Sequence, residues 1–244
     1  MPEKPTLALA WIICELYRDD DFKLVIMYGD QRIGKTAYGL KCMGQVYEYY
    51  KGIPLSPRLI DQYMGWDPNE VVDTLIDIDE RIPCYKWDDA GYWLWALDWN
   101  DPVLKAFCKY LNVIGTDMNC LILSTPDPRF ILSKIQNMPS TRTIRITKAS
   151  RTSKWARIAK GYHPYYLPDL TKKRVKPWLE DSYSCKLPQD VYDYYQPIRR
   201  SYAVRAKRLL RKALAKTQED KKEKKDLLDN LNYMVDNKEY EARK

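Results

Sequence analysis

Residues 29–36 have the composition and spacing of a phosphate-binding loop. They are Gly29, Asp30, Gln31, Arg32, Ile33, Gly34, Lys35 and Thr36, and they match the pattern G-x-x-x-x-G-K-[ST]. The glycines let the backbone curl so that successive N–H groups face phosphate oxygens. The lysine reaches the β- and γ-phosphates, and the threonine hydroxyl binds Mg²⁺. The sequence therefore predicts binding of a nucleoside triphosphate with Mg²⁺, and the alternative is a plain turn from strand to helix.

The segments on either side of the loop fit this interpretation. Residues 23–28 form a short apolar run of the kind expected for a buried parallel strand, and residues 35–50 have helical spacing. The motif requires a strand before the loop and a helix after it.

An acidic pair follows a second predicted strand at residues 82–87. We assign Asp88 to holding Mg²⁺ and Asp89 to polarising the attacking water, because hydrolysis needs a base in line with the γ-phosphate. The alternative is that the pair only caps the helix that follows.

Later polar residues offer weaker candidates for catalysis. Ser124, followed by Thr125, ends a third strand, where a hydroxyl could orient water or contact the γ-phosphate; an ordinary turn before Pro126 explains it equally well. Arg129 and Arg142 could stabilise transition-state charge in the site of a neighbouring subunit, or serve as surface ion-pair residues.

The order of elements predicts an α/β fold. Strands at 120–124 and 141–147 continue the alternation of strand and helix, which implies a parallel sheet flanked by helices. An antiparallel hairpin and a long helix follow. The predicted parts are an ATPase-type core at 1–150, a small β-rich appendage at 151–187 with strands at 154–162 and 174–186 joined through 164–168, and a helical tail at 188–244.

Two helix predictions rest on local signals. Residues 5–17 are predicted to form a helix with Thr6 as its cap. Residues 91–111 are predicted to be mostly helical, with an interruption around Asn100-Asp101-Pro102 and with Tyr92, Trp95 and Trp99 on one face. These rings suit core packing or a subunit contact better than base stacking.

Charge divides the chain into two parts. Residues 151–244 hold 24 Lys and Arg against 13 Asp and Glu, a balance of +11, whereas the whole chain carries +8. We expect the basic tail to bind DNA, because neutralising phosphates releases counterions. The same helix carries Leu209, Leu210 and Leu214, so binding of a partner helix is an equal alternative. The basic residues of the tail are Arg199, Arg200, Arg205, Lys207, Arg208, Arg211 and Lys212.

The remaining composition limits other chemistries. His163 is the only histidine, and the six cysteines lack the paired spacing of a zinc site, so we expect buried thiols. The apolar run 7–14 is too short to span a membrane and suits a packed helix better than a signal peptide. We expect a cytoplasmic protein without a membrane partner, in the host cytoplasm if the protein is viral.

The loop at 29–36, the strand-borne Asp88-Asp89 with Ala90-Gly91, and Ser124-Thr125 together resemble the P-loop ATPases with an additional strand and a catalytic acid, including the AAA+ proteins. The Asp-Asp form is similar to DnaA and its relatives, and the Tyr-rich chain is similar to DnaA-like ATPases of crenarchaeal viruses and plasmids. The resemblance covers about 125 residues. It implies ATP, Mg²⁺, formation of homo-oligomers, and a role in replicating or moving DNA.

The sequence departs from AAA+ proteins after residue 150, where strands and loops stand in place of the helical lid with its sensing arginine. Two other functions therefore stay open. One is a small-molecule kinase, although no arginine-rich lid is evident. The other is a nucleotide-dependent switch with little turnover, suggested by Asp89 in place of the usual glutamate.

Overall fold

The structure is a computed structural model that describes residues 3–150, 152–166 and 173–242, with side chains through residue 219 and at 221, except at 166 and 173. The strands are β1 (Lys23–Tyr28), β2 (Met64–Gly65), β3 (Tyr85–Trp87), β4 (Cys120–Thr125), β5 (Thr141–Lys148), β6 (Ala156–Tyr166) and β7 (Lys173–Ser184). The α-helices are α1 (Ala8–Arg18), α2 (Lys35–Lys51), α3 (Pro57–Tyr63), α4 (Pro68–Ile76), α5 (Ala90–Trp93), α6 (Pro102–Tyr110), α7 (Ser133–Gln136) and α8 (Gln189–Ala242).

The strands form one sheet in the order β2-β3-β4-β1-β5-β6-β7. The first five pair in parallel, because each connection between them returns the chain to the same end of the sheet. Along β1, Leu24 and Ile26 belong to a core cluster with Trp87 and Phe107, whereas Met27 approaches α2 at Gly39. The predicted α/β class, a parallel sheet flanked by helices, is confirmed.

The predicted β-rich appendage is an antiparallel hairpin that continues this sheet. β6 pairs with β5 over Arg157–Tyr162, and β7 pairs with β6 along its length. The hairpin therefore belongs to the sheet that carries the loop at 29–36. Part of the predicted connection 164–168, at residues 167 and 168, lies outside the described residues.

The start of α1 differs from the prediction. The helix begins at Ala8, and the residue before it, Leu7, makes no side-chain cap. Instead, the Asp181 carboxylate on β7 accepts hydrogen bonds from the N–H groups of Ala8 (2.7 Å) and Leu9 (3.2 Å). A carboxylate suits this place, because it satisfies two exposed donors and faces the positive end of the helix. Thr6 is therefore not the cap.

The predicted helix at 91–111 is interrupted around Asn100-Asp101-Pro102, as expected, and it also breaks earlier. α5 ends at Trp93, and Trp95 has non-helical backbone angles and bridges to Ile131. Asp101 then caps a new helix by accepting from the Val103 and Leu104 N–H groups. Tyr92, Trp95 and Trp99 therefore do not share one helical face.

The chain divides into two compact units, one up to Asp193 and the other from Tyr194 onward. α8 starts at the end of the first unit and contains Pro197, and it confirms the predicted C-terminal helix. Among the described residues, the helices are all too short or too polar to cross a bilayer.

Candidate nucleotide site

The loop at 29–36 joins β1 to α2 and contains three residues with positive φ. They are Gly29 (+141°), Arg32 (+61°) and Gly34 (+109°). A methyl group at position 29 would lie 2.6 Å from the Ile146 carbonyl oxygen, and one at position 34 would lie 2.7 Å from Cys185 Cβ. Both glycines are therefore required by their positive φ and by the close approach of β5 and of the residue after β7.

Lys35 is held against the loop that precedes it. Its Nζ donates to the carbonyl oxygens of Gly29 (2.8 Å) and Asp30 (2.9 Å), and the residue is only 8% exposed. Since these are neutral acceptors at the entry of the loop, the ammonium lies where anionic oxygens bound by the loop would compete for it.

Thr36 and Asp88 are brought together from different elements. The Thr36 hydroxyl, in the first turn of α2, lies 3.1 and 3.0 Å from the two carboxylate oxygens of Asp88, which directly follows β3. Asp88 is 1% exposed. A hydroxyl and a carboxylate are ligands that Mg²⁺ accepts, so the two residues predicted to bind the metal are adjacent.

Asp89 differs from Asp88 in exposure and in backbone conformation. It is exposed, it adopts φ of +49°, and it precedes α5 without accepting a capping hydrogen bond through its side chain. The structure therefore gives the capping alternative no support at Asp89. Positive φ in a residue other than glycine has an energetic cost and is concentrated at functional sites.

Ser124 and Thr125 end β4, the strand between β1 and β3. Ser124 is buried, and its hydroxyl lies 3.3 Å from Nζ of Lys86, a fully buried lysine on β3. Thr125 donates instead to the Asp127 carbonyl (2.9 Å) and packs against Gly91. Ser124 is therefore connected to the acid strand, whereas Thr125 stabilises the turn.

The hairpin contacts the loop from the other side, which the sequence did not predict. Arg157 Nε on β6 donates to the Ile33 carbonyl (2.6 Å), and the Tyr183 hydroxyl on β7 donates to the Gly34 carbonyl (3.0 Å). Burial raises the pKa of Tyr183 well above the usual tyrosine value, so the phenol stays protonated and remains a donor. These contacts fix two consecutive peptide groups of the loop.

The two arginines singled out from the sequence make local contacts within this chain. Arg129 is exposed and pairs with Asp127 (2.7 Å). Arg142 is buried at the start of β5, where its Nη1 donates to the carbonyls of Pro139 and Thr141. Their role in a neighbouring subunit stays a prediction.

A different arginine, Arg145, lines a cavity of about 430 Å³ beside the loop. Gly29, Asp30 and Ile33 contribute the loop side of that cavity. The alternation of side chains along β5 is the sequence signal that could have identified Arg145. The C-terminal ends of β5 and β1 lie side by side, which brings Arg145 next to the loop.

The cysteines are free thiols. Cys14, Cys42, Cys84 and Cys120 are buried, as expected, whereas Cys108 and Cys185 are half-buried. The described residues contain no group of three or more His, Cys, Asp or Glu side chains that could hold a metal.

Comparison with known proteins identifies a relative in sequence. No family model matches the chain. The sequence is 27% identical, over an alignment of 213 positions that covers 78% of each chain, to the uncharacterized protein B-251 of Sulfolobus spindle-shape virus 1.

Similar solved structures include the N-terminal domain of zonular occludens toxin from Neisseria meningitidis, at 14% identity and a TM-score of 0.43, covering 72% of this chain and 100% of that one. Another is the genome packaging NTPase B204 of Sulfolobus turreted icosahedral virus 2 in complex with ATP-gammaS, at 12% identity and a TM-score of 0.38, covering 66% and 98%. Both TM-scores are below 0.5 and too low to establish a shared fold.

Proposed function

We propose that this chain is a magnesium-dependent ATPase that acts on or with DNA. The observation that carries the proposal is the contact of Thr36 with Asp88, at 3.0 and 3.1 Å, at the start of the helix that follows the loop. Thr36 lies in the first turn of α2 and Asp88 directly follows β3, 52 positions apart. They meet where the phosphates of a nucleotide bound by the loop would lie.

The residues present fit a magnesium ion. Thr36 and Asp88 would hold it through a hydroxyl and a carboxylate, directly or through water, and the bound ion would neutralise charge on the β- and γ-phosphate oxygens. Lys35 would exchange its neutral carbonyl acceptors for phosphate oxygens, which form stronger, charge-assisted hydrogen bonds. The N–H groups of residues 29–36 would bind the remaining phosphate oxygens.

Asp89 is the candidate base for hydrolysis. It is exposed next to the buried Asp88, so it can reach a water molecule in line with the γ-phosphate while Asp88 remains with the metal. Its left-handed backbone lies at the junction between β3 and α5. Ser124, buried behind Asp88, is proposed to assist from the neighbouring strand.

The strand order supports the class of ATPase with an additional strand. β4 lies between β1, which carries the loop, and β3, which carries the acids. We place the chain with this class, to which the AAA+ and DnaA-like proteins belong, and we expect it to form homo-oligomers. Initiation of replication, helicase loading and DNA packaging are the candidate processes, and the similarity to a viral protein supports a role with viral DNA in the host cytoplasm.

The proposed DNA contact is the basic part of α8. The cations there that are exposed include Arg200, Arg205, Lys207, Arg208, Arg211 and Lys212, whereas Arg199 is half-buried. If Arg208, Arg211 and Lys212 contact phosphates, changing all three to Gln should weaken binding and reduce the slope of log affinity against log salt by about 0.9 per lost contact on duplex DNA. The matched variant changes Leu209, Leu210 and Leu214 to Gln. It tests the alternative that this part of α8 binds a partner helix.

The decisive experiment measures Mg²⁺-dependent ATP hydrolysis with and without single- and double-stranded DNA. Wild type is compared with Lys35→Ala, which should lose nucleotide binding, and Asp89→Asn, which should retain binding and lose turnover. The proposal is supported if DNA stimulates hydrolysis by the wild type and if both variants have lost hydrolysis.

Other outcomes identify the alternatives. Tight ATP binding without turnover in wild type would indicate a nucleotide switch. Transfer of the γ-phosphate to an added nucleoside would indicate a kinase. DNA binding that is absent or insensitive to salt would contradict the DNA part of the proposal while leaving the ATPase part intact.

A further inference from the structure

Lys86 is a buried basic residue on an interior strand of the sheet. It lies on β3, two residues before Asp88, and it is 0% exposed. Its Nζ lies 2.5 Å from Asp88 Oδ1 and 3.3 Å from Ser124 Oγ. The ammonium therefore joins the acid that follows β3 to the hydroxyl on the adjacent strand β4.

The helix after the loop is shaped to accept this lysine. Gly39 on α2 faces the lysine stem, and a methyl group there would lie 2.7 Å from Lys86 Cε and 3.0 Å from Cδ. Gly39 lies three residues after Thr36, so one helix supplies both the hydroxyl that meets Asp88 and the space for the lysine beneath Asp88.

An apolar residue would be the ordinary occupant of position 86. Central parallel strands are usually continuous apolar runs, and a buried charge has a large desolvation cost unless it is paired. A buried ion pair is often no more stabilising than an apolar pair of similar volume, although removing one partner is strongly destabilising. Stability alone therefore does not explain the lysine.

We propose that Lys86 is a positioning residue for the magnesium site. It holds the Asp88 carboxylate and the Ser124 hydroxyl in fixed orientations, so that the oxygen pair of Asp88 and Thr36 is formed before metal and nucleotide bind. Lys86 does not contact the nucleotide in this proposal. The inference rests on the proposed function, because it assumes that Asp88 is a ligand of the magnesium ion.

The first test is a cycle of unfolding measurements in EDTA with Lys86→Met, Asp88→Asn and the double variant. Each single variant leaves one buried charge without its partner, and it should lower Tm by roughly 10 °C. The double variant should recover most of that loss. Losses that simply add would show that the pair is not coupled and would overturn the proposal.

The second test measures the Mg²⁺ concentration that half-saturates binding of a fluorescent ATP analogue. In Lys86→Met that concentration should rise by about 10- to 100-fold, the usual effect of losing a residue that orients a metal ligand. Lys86→Arg should show a smaller rise. Affinity for the analogue in EDTA should change by less than about two-fold, because the N–H groups of the loop and Lys35 are untouched. An unchanged Mg²⁺ requirement would overturn the proposal.

A glycine pair provides a control that leaves every charge in place. Gly39→Ala presses a methyl group on the Lys86 stem, whereas Gly44→Ala, on the same helix, presses one at 2.7 Å on Leu55 Cβ. Both should lower Tm, but only Gly39→Ala should raise the Mg²⁺ requirement. An equal Mg²⁺ requirement in the two glycine variants would contradict a positioning role for Lys86. If wild type binds no nucleotide at any Mg²⁺ concentration, the proposed function itself fails, whatever the variants show.

Discussion

The two sides of the phosphate-binding loop are held by different chemistry. On the side of β3 and β4, charged and hydroxyl side chains meet one another at the first turn of α2, as in the cluster of Thr36, Asp88 and Lys86. On the side of the hairpin, Arg157 and Tyr183 donate to peptide carbonyls of the loop. The first side presents groups that can act on phosphate and metal, whereas the second fixes the backbone.

This difference predicts that the two sides control different quantities. Changes on the acid side should lower the rate of hydrolysis or raise the Mg²⁺ requirement with the loop intact. Changes on the hairpin side should lower affinity for the nucleotide and the free energy of unfolding together, because the N–H groups of the loop bind phosphate only in the correct backbone conformation.

The largest effect is expected from Asp89→Asn. Loss of a general base should reduce kcat by about 10²- to 10⁴-fold, measured as steady-state phosphate release. Asparagine tolerates the left-handed conformation at this exposed position, so Tm should stay close to that of wild type. A parallel loss of nucleotide affinity would break the distinction between the two sides.

A smaller but clear effect is expected from Gly34→Ala. The φ of +109° and the 2.7 Å approach of Cys185 Cβ both oppose a methyl group, so the loop should distort and bind ATP more weakly. Gly52→Ala is the control, because φ there is +65° and no atom lies within 4 Å of the added methyl group. Titration calorimetry should show weakened ATP binding only for Gly34→Ala; equal affinities in both variants would show that the hairpin does not constrain the loop.

The smallest effect is expected from Tyr183→Phe. The change removes one donor and leaves the Gly34 carbonyl without this partner, which should lower the free energy of unfolding by about 1–3 kcal/mol. The KM for ATP should rise by less than ten-fold with kcat nearly unchanged. Tyr165→Phe, at an exposed position on β6, serves as the control in denaturant unfolding and should be neutral. A fall in kcat alone would place Tyr183 with the acid side.

Local signals in the sequence were sufficient for the parallel part of the fold. The apolar run at 23–28 corresponds to β1 without a change of bounds, and the glycine-lysine pattern predicts the loop and the start of α2. The pair of Thr36 and Asp88 could be anticipated, because ends of parallel strands share one edge of the sheet. Short elements such as α3 and β2 were not predicted, since seven and two residues give too little periodicity.

The missed residues act through contacts between distant parts of the chain. Tyr183 is 149 residues from its acceptor on Gly34, and Asp181 is 173 residues from the start of α1. No spacing rule predicts such pairs. Lys86 was visible only as an irregularity in an apolar strand, and its meaning depends on the space above Gly39.

The outer strand of the hairpin also affects how copies of the chain can meet. β7 ends the order of strands, so one of its sides lacks a neighbouring strand within the described residues. Exposed Arg174, Lys176 and Pro177 occupy its first half; proline lacks an N–H donor, and like charges repel an identical strand. Growth of the sheet from one molecule into the next is disfavoured there, and an assembly of this protein is expected to form through other surfaces.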